Sequence, residues 1–177
     1  MISIASGGIA TWLWSGHVRD GQDPLSVGAE RVARLETTFS YRNAVLAEQD
    51  GGIAGMMLGS LLDTGCPGEF VKLEELPPLL RPLAELEAQV PGSYYVNILS
   101  VYDAFRDSGL GTRLLQAAAS RATSLGCTRL SVQVFNQNIG AVRLYERNGF
   151  RAVDSQPIEP HPGHPYDDRI LLMQRAL

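Results

Sequence analysis

Between residues 93 and 150 the hydrophobic period changes three times, and this alternation narrows the folds open to the chain more than any other feature. "SYYVNILSVYD" (93–103) is rich in β-branched and aromatic residues and predicts a strand. From Leu110 the stripe takes helical spacing through Leu114, Ala117, Ala118, Arg121, Ala122 and Leu125. Gly126 stands where a left-handed residue would end that helix. "TRLSVQVF" (128–135) returns to alternation, with Leu130, Val132 and Val134 set against Ser131 and Gln133. "NIGAVRLYERNGF" (138–150) reads as a short helix stopped by Asn148-Gly149, after which Phe150 restarts a strand. Two strands joined by one helix predict a parallel pair with a right-handed crossover.

The flanks fit a mixed α/β sheet. "ATWLW" (10–14) and "VGAERVARLETTF" (27–39) predict helices on either side of a Gly/Asp/Pro-rich loop. "YRNAVLAEQDGGIAGMMLGSLL" (41–62) predicts a hairpin turning at Asp50-Gly51-Gly52. Residues 73–89 read as helical around a proline break, with Leu79, Leu83 and Leu86 on one side. Residues 154–168 hold Pro157, Pro160, Pro162 and Pro165 and predict a loop, and "RILLMQ" (169–174) closes the chain as a strand. At 177 residues and 45% apolar, the whole of 1–177 is expected to form a single domain.

Composition removes several function classes. No stretch has the apolar length to span a bilayer, and "MISIASGGIATWLWSG" lacks the basic and apolar regions of a secretory signal. Cys66 and Cys127 form no CxxC pair, and the three histidines lack metal-ligand spacing, so no metal is expected. A net charge of −4 argues against a nucleic-acid partner. These readings predict a cytoplasmic protein with no membrane association.

Three readings compete for Arg106 to Thr112. Gly109 and Gly111 fit a plain strand-to-helix turn. A nucleotide loop is excluded, because GxxxxGK[ST] is absent and G-L-G-T-R-L is not GxGxxG. The third reading is R-x-x-G-x-G opening a helix. Backbone N–H groups and the helix dipole there suit a pyrophosphate, which side chains at 109 and 111 would block. Arg106 fits either a phosphate contact or surface packing, Asn138 a helix cap, and Tyr145 half-buried core.

Residues 95–153 resemble the GCN5-related N-acetyltransferase (GNAT) superfamily. Arg106-Asp107-Ser108-Gly109-Leu110-Gly111 is similar to its acyl-CoA loop, Q/R-x-x-G-x-G/A. Asn138, Ala141, Leu144, Tyr145, Gly149 and Phe150 match its N-x-x-A-x-x-L-Y-x-x-x-G-F signature, one helix and one strand later. The resemblance implies a mixed, mostly antiparallel sheet with helices on both faces and a central parallel pair splayed around acyl-CoA. It implies an N-acetyltransferase taking acetyl from acetyl-CoA, as co-substrate, to a primary amine of a small molecule or peptide. The attack would be direct, through a tetrahedral intermediate. Leu99, Ser100 and Val101 would line pantetheine, with the Val101 N–H on the oxyanion. Arg106, Asp107, Ser108, Gly109, Leu110, Gly111 and Thr112 would hold pyrophosphate, with Asn138, Ala141 and Tyr145 also against the cofactor. Tyr145 would protonate the leaving thiolate.

The sequence departs from that family in two places. Many members carry a basic glutamate on the strand before the loop, but here the equivalent falls near Tyr95 and no carboxylate lies between Glu87 and Asp103. The base stays open, with Tyr94, Tyr95 and Asn97 nearby. The usual first strand also reads as absent, since "MISIASGG" enters a helix almost at once; an open sheet edge would then favour a homodimer. The acceptor site is expected near Trp12 to Pro24, residues 63–93 and the 154–168 loop, with Trp12, Trp14, Glu74, Glu75, Tyr166, Asp167 and Asp168 as lining candidates. The rival reading is a non-catalytic acyl-CoA-binding sensor or assembly module; a different acyl donor or an alcohol acceptor is a third.

Overall fold

The computed structural model describes residues 1–62 and 73–177, so residues 63–72 of the expected acceptor region lie outside the description. Its six strands follow the sheet order β1-β2-β3-β4-β6-β5 and are mostly antiparallel, with one parallel pair, β3 and β4, and helices around them. Packing divides the described residues into two compact units.

The first unit comprises residues 1–60, 97–117 and 162–165. It opens with α1 (Ile2–Ala5), α2 (Ile9–Ser15) and α3 (Pro24–Val32), and no strand precedes them among the described residues. Asp23 caps α3, its carboxylate accepting from the N–H groups of Leu25 and Ser26 at 2.8 and 3.1 Å, with Pro24 behind it as the first helical residue. Gly28 gives α3 a gap that Trp14 fills: an added Cβ would lie 2.6 Å from the Trp14 ring. Trp14 thus packs against α3.

The hairpin forms as the turn signal predicts. β1 (Ala44–Gln49) and β2 (Gly52–Leu61) pair antiparallel from Gln49↔Gly52, and both turn residues, Asp50 (φ 54) and Gly51 (φ 77), are left-handed. This unit also holds the end of β3 (Tyr94–Val101) and the start of α5 (Leu110–Ser124). Gly55 of β2 lets three groups close in. A Cβ there would meet the Ser100 carbonyl and Leu114 Cδ1 at 3.2 Å and Val101 Cγ2 at 3.3 Å.

The second unit comprises residues 61–96, 118–161 and 166–177. Two 3₁₀ turns, Leu73–Glu75 and Pro78–Leu80, lead into α4 (Arg81–Glu87). β4 (Arg129–Phe135) runs parallel to β3, with Tyr94↔Leu130, Tyr95↔Ser131 and Val96↔Val132 in register. α6 (Ile139–Arg147), β5 (Arg151–Pro157) and β6 (Arg169–Ala176) follow. β6 pairs antiparallel with both β4 and β5. Tyr94, Leu86, Leu130, Phe150, Leu172 and Met173 are buried to 1–2% exposure or less, forming the core of this unit.

Three expectations need correction, the first being that the helix expected over 27–39 ends at Val32. Residues 154–157 belong to β5 rather than to a loop, and the connection that follows runs over 158–168. β5 is the last strand of the sheet and mostly exposed, so it needs no apolar alternation, and Pro157 is tolerated at its end. Leu125 lies beyond the end of α5 and is 56% exposed, while Leu115, outside the expected stripe, is fully buried.

Candidate functional site

In the first unit, β3 ends at Val101 and a short turn carries the chain into α5. The turn is tightly tied: Phe105 N–H donates to the Tyr102 carbonyl at 2.8 Å, and Ser108 Oγ donates to the Phe105 carbonyl at 2.5 Å. Asp107 (φ 58) and Gly109 (φ 82) are both left-handed while Ser108 between them is not. Alternation of this kind turns successive N–H groups to one side, forming an anion-binding concavity. α5 begins at once, with the Arg113 N–H donating to the Gly109 carbonyl at 3.1 Å. The first-turn N–H groups of such a helix have no acceptor within it, and no acidic residue occupies that turn. A Cβ at Gly109 would meet no atom within 4 Å, so the space beside it is open.

Arg106 opens the 106–112 segment. Its guanidinium pairs with the Asp103 carboxylate at 2.7 Å, both side chains being more than half exposed. Exposed pairs of this kind are weak, and the arginine can be drawn to another anion at little cost. On β3, Leu99 and Val101 are half-buried, while Ser100 is 4% exposed and its hydroxyl has no hydrogen-bond partner among the described residues. An unpaired buried hydroxyl is costly, and a ligand group would relieve it.

In the second unit, the 138–150 signature has a local structural cause. Asn138 caps α6, its side-chain oxygen accepting from the Ala141 N–H at 3.2 Å. At the other end, Phe150 N–H donates to the Tyr145 carbonyl and Gly149 N–H to the Glu146 carbonyl, each at 3.0 Å, with Gly149 left-handed at φ 85. This is a Schellman motif, and its usual hydrophobic contact is present: the Tyr145 and Phe150 rings meet edge to face at 5.5 Å. The spacing from Tyr145 to Phe150 is thus fixed by how the helix ends. Tyr145 is 5% exposed, and burial pushes its phenol pKa well up, so it stays protonated throughout the physiological range.

Three of the acceptor-lining candidates are tied down within the same unit. Tyr166 stacks on Phe135 at 4.6 Å. Gln137 binds Asp167 twice, at 2.8 and 2.9 Å, and Asn136 donates to the Asp168 carboxylate at 2.5 Å. The loop before β6 is therefore fastened to the corner between β4 and α6. Glu74 and Glu75 are exposed on the first 3₁₀ turn.

The surroundings of Tyr95 were not legible in the sequence. Tyr95 is 5% exposed, and its phenol pKa is pushed well up, first by burial and then by the charge of Glu87 and the neighbouring Tyr145. Glu87 at the end of α4 is half-buried, and burial raises its carboxyl pKa. No local sequence signal links Glu87 to Tyr95, and the charge of Glu87 bears on the Tyr95 phenol only through the fold. Among the described residues, no three His, Cys, Asp or Glu side chains are placed to hold a metal ion. No helix among them is long and apolar enough to cross a membrane.

Comparison with known proteins agrees with this geometry. The family model of the Acetyltransferase (GNAT) family matches residues 14–150. GCN5-related N-acetyltransferase 4, chloroplastic, of Arabidopsis thaliana is 26% identical over 118 residues; the match covers 66% of this chain and 40% of that protein's length. Among solved structures, mosquito arylalkylamine N-acetyltransferase like 5b superposes with a TM-score of 0.60 at 21% identity, covering 76% of this chain and 74% of that one. A GNAT family acetyltransferase from Elizabethkingia anophelis, solved with acetyl-CoA bound, gives 0.52 at 18% identity, covering 76% and 75%.

Proposed function

Because the chain belongs to the Acetyltransferase (GNAT) family, we propose that it is an acetyl-CoA-dependent N-acetyltransferase acting on a primary amine of a small molecule or peptide. The observation that carries this reading is the left-handed turn at Asp107 and Gly109 opening directly into α5, with empty space beside Gly109. It suits a diphosphate, and no lysine follows it as a nucleotide loop would require. Residues 1–177 then act as one domain, in the cytoplasm, without nucleic-acid or membrane partners.

Acetyl-CoA supplies an acyl thioester that is already activated toward amines. Residues 106–112 hold its diphosphate through backbone N–H groups, Arg106 exchanging Asp103 for phosphate. Leu99, Ser100 and Val101 bind the pantetheine arm, and the Ser100 hydroxyl gains the partner it lacks. The Val101 N–H donates to the acyl oxygen as the amine attacks the acyl carbon. Asn138 and Ala141 also contact the cofactor. Tyr145 gives its proton to the departing sulfur.

Thiol release from acetyl-CoA, measured over spermidine, 2-phenylethylamine, an aminoglycoside, amino acids and short peptides, tests the reading. At least one amine is expected to drive stoichiometric release with formation of its N-acetyl product. Binding of acetyl-CoA without release across the panel would favour the sensor reading instead.

We also propose a homodimer formed through β1, which has β2 as its one strand partner among the described residues. Light scattering is expected to give twice the chain mass at high concentration, and a monomer there would contradict the edge pairing.

A further inference from the structure

We propose that the β1 strands of two copies pair antiparallel with Leu46 on the two-fold axis, so that Glu48 of each copy meets Arg42 of the other. This rests on the homodimer reading above and adds the register, the groove it fills and the ion pairs that select it.

The edge is built for a strand on both its backbone and its faces. Gln49 and Gly52 flank the two-residue turn as register partners, and in such a hairpin that pair is hydrogen-bonded. By alternation the N–H and C=O groups of Glu48 and Leu46 point away from β2. Ala47 is the register partner of Gly55, and a Cβ at Gly55 would lie 3.2 Å from Leu114 Cδ1 of α5. Ala47 and Val45 therefore face α5, while Leu46 and Glu48 face the other way. On the α5 side a groove of about 230 Å³ is lined by Val45 and Ala47 with Leu110, Leu114 and Ala117. It is smaller than an ordinary ligand pocket and suits a few aliphatic side chains. On the other side Leu46 is 50% exposed, a large apolar residue in the middle of an open edge.

A second copy meets all three demands at one register. With Leu46 opposite the partner's Leu46, the two residues exchange both backbone hydrogen bonds, and each Glu48 N–H reaches the carbonyl of the partner's Ala44. The partner's Val45 and Ala47 then come to the α5 face beside the groove. Glu48 stands opposite the partner's Ala44, and the turn Tyr41–Asn43 sets Arg42 just beyond that residue. Arg42 is thus a diagonal neighbour of Glu48, within reach of two long side chains. Both are exposed, and among the described residues neither has an ion pair. The same symmetry operation makes the contact twice.

The opposite edge of the sheet is closed to such pairing. β5 carries a register irregularity between Ala152 and Asp154 and ends in Pro157, and Asp154 is bound by Gln89 at 2.8 Å. Bulges, charges and prolines are the usual protection of an edge strand. β1, with the sequence Ala-Val-Leu-Ala-Glu-Gln, has no proline and no lysine, and the extra residue in its pairing is Ala54 on β2.

Charge reversal tests the register. Sedimentation equilibrium is run on wild type, Arg42→Glu, Glu48→Arg and the double variant. Each single variant turns two attractions into two repulsions and is expected to raise the dimer Kd roughly 10- to 30-fold. The double variant should return to the wild-type Kd, because each reversed charge again meets its opposite. Mixing the two single variants should give a heterodimer that neither forms alone. Leu46→Lys, which sets lysine against lysine on the axis, should be monomeric. All of these variants should melt like dilute wild type, since the three side chains are exposed. A wild-type dimer that the single variants leave intact, or that the double variant fails to restore, would overturn this register and leave the homodimer standing. A monomeric wild type would remove the homodimer, and this pairing with it.

Discussion

Replacing Tyr145 by phenylalanine is expected to slow acetyl transfer by about 10²-fold while acetyl-CoA affinity stays near the wild-type value. The ring sits 5.5 Å from Phe150 in an edge-to-face contact, and phenylalanine preserves that contact together with the Schellman bonds at the end of α6. What disappears is a single hydroxyl that burial keeps protonated, in a side chain only 5% exposed. A group of that kind can deliver a proton to a thiolate at any physiological pH. Steady-state kinetics with parallel calorimetry separate this from a packing effect. Unchanged kcat would remove Tyr145 as the acid, and a matched loss of affinity and melting temperature would make it a core residue.

Gly109→Val is expected to weaken acetyl-CoA binding by roughly 10- to 100-fold, the scale of losing one or two charge-assisted backbone hydrogen bonds. The substitution also strains the backbone, because φ at this position is 82°, by about 1–2 kcal/mol. Gly126→Val provides the matched control. Gly126 has φ 75° and likewise no atom within 4 Å of an added Cβ, but it closes the opposite end of α5. Both variants should lose comparable stability in chemical denaturation, and only the first should lose affinity. Equal affinities for the two would mean that the open space beside Gly109 holds no phosphate.

Much of this was legible where local rules govern. The switches of period between 93 and 150 place β3, α5, β4 and α6 correctly, because buried strands and amphipathic helices have different spacings. The Asn138 to Phe150 pattern is legible for a stronger reason: a capping oxygen, a left-handed glycine and a ring contact across the helix end each require a particular position. Features set by tertiary contact were not legible. The exposed edge strand β5 carries no alternation and looks like a proline-rich loop. The left-handed Asp107 is hidden because aspartate is not an obligatory turn residue.

Titration of the purified chain with acetyl-CoA by isothermal calorimetry tests the central claim most directly. Saturable binding at one site per chain, weakened roughly 10- to 100-fold in Gly109→Val and retained in Gly126→Val, is the predicted result. Absence of binding by the wild-type chain, or equal binding by both variants, would contradict the account.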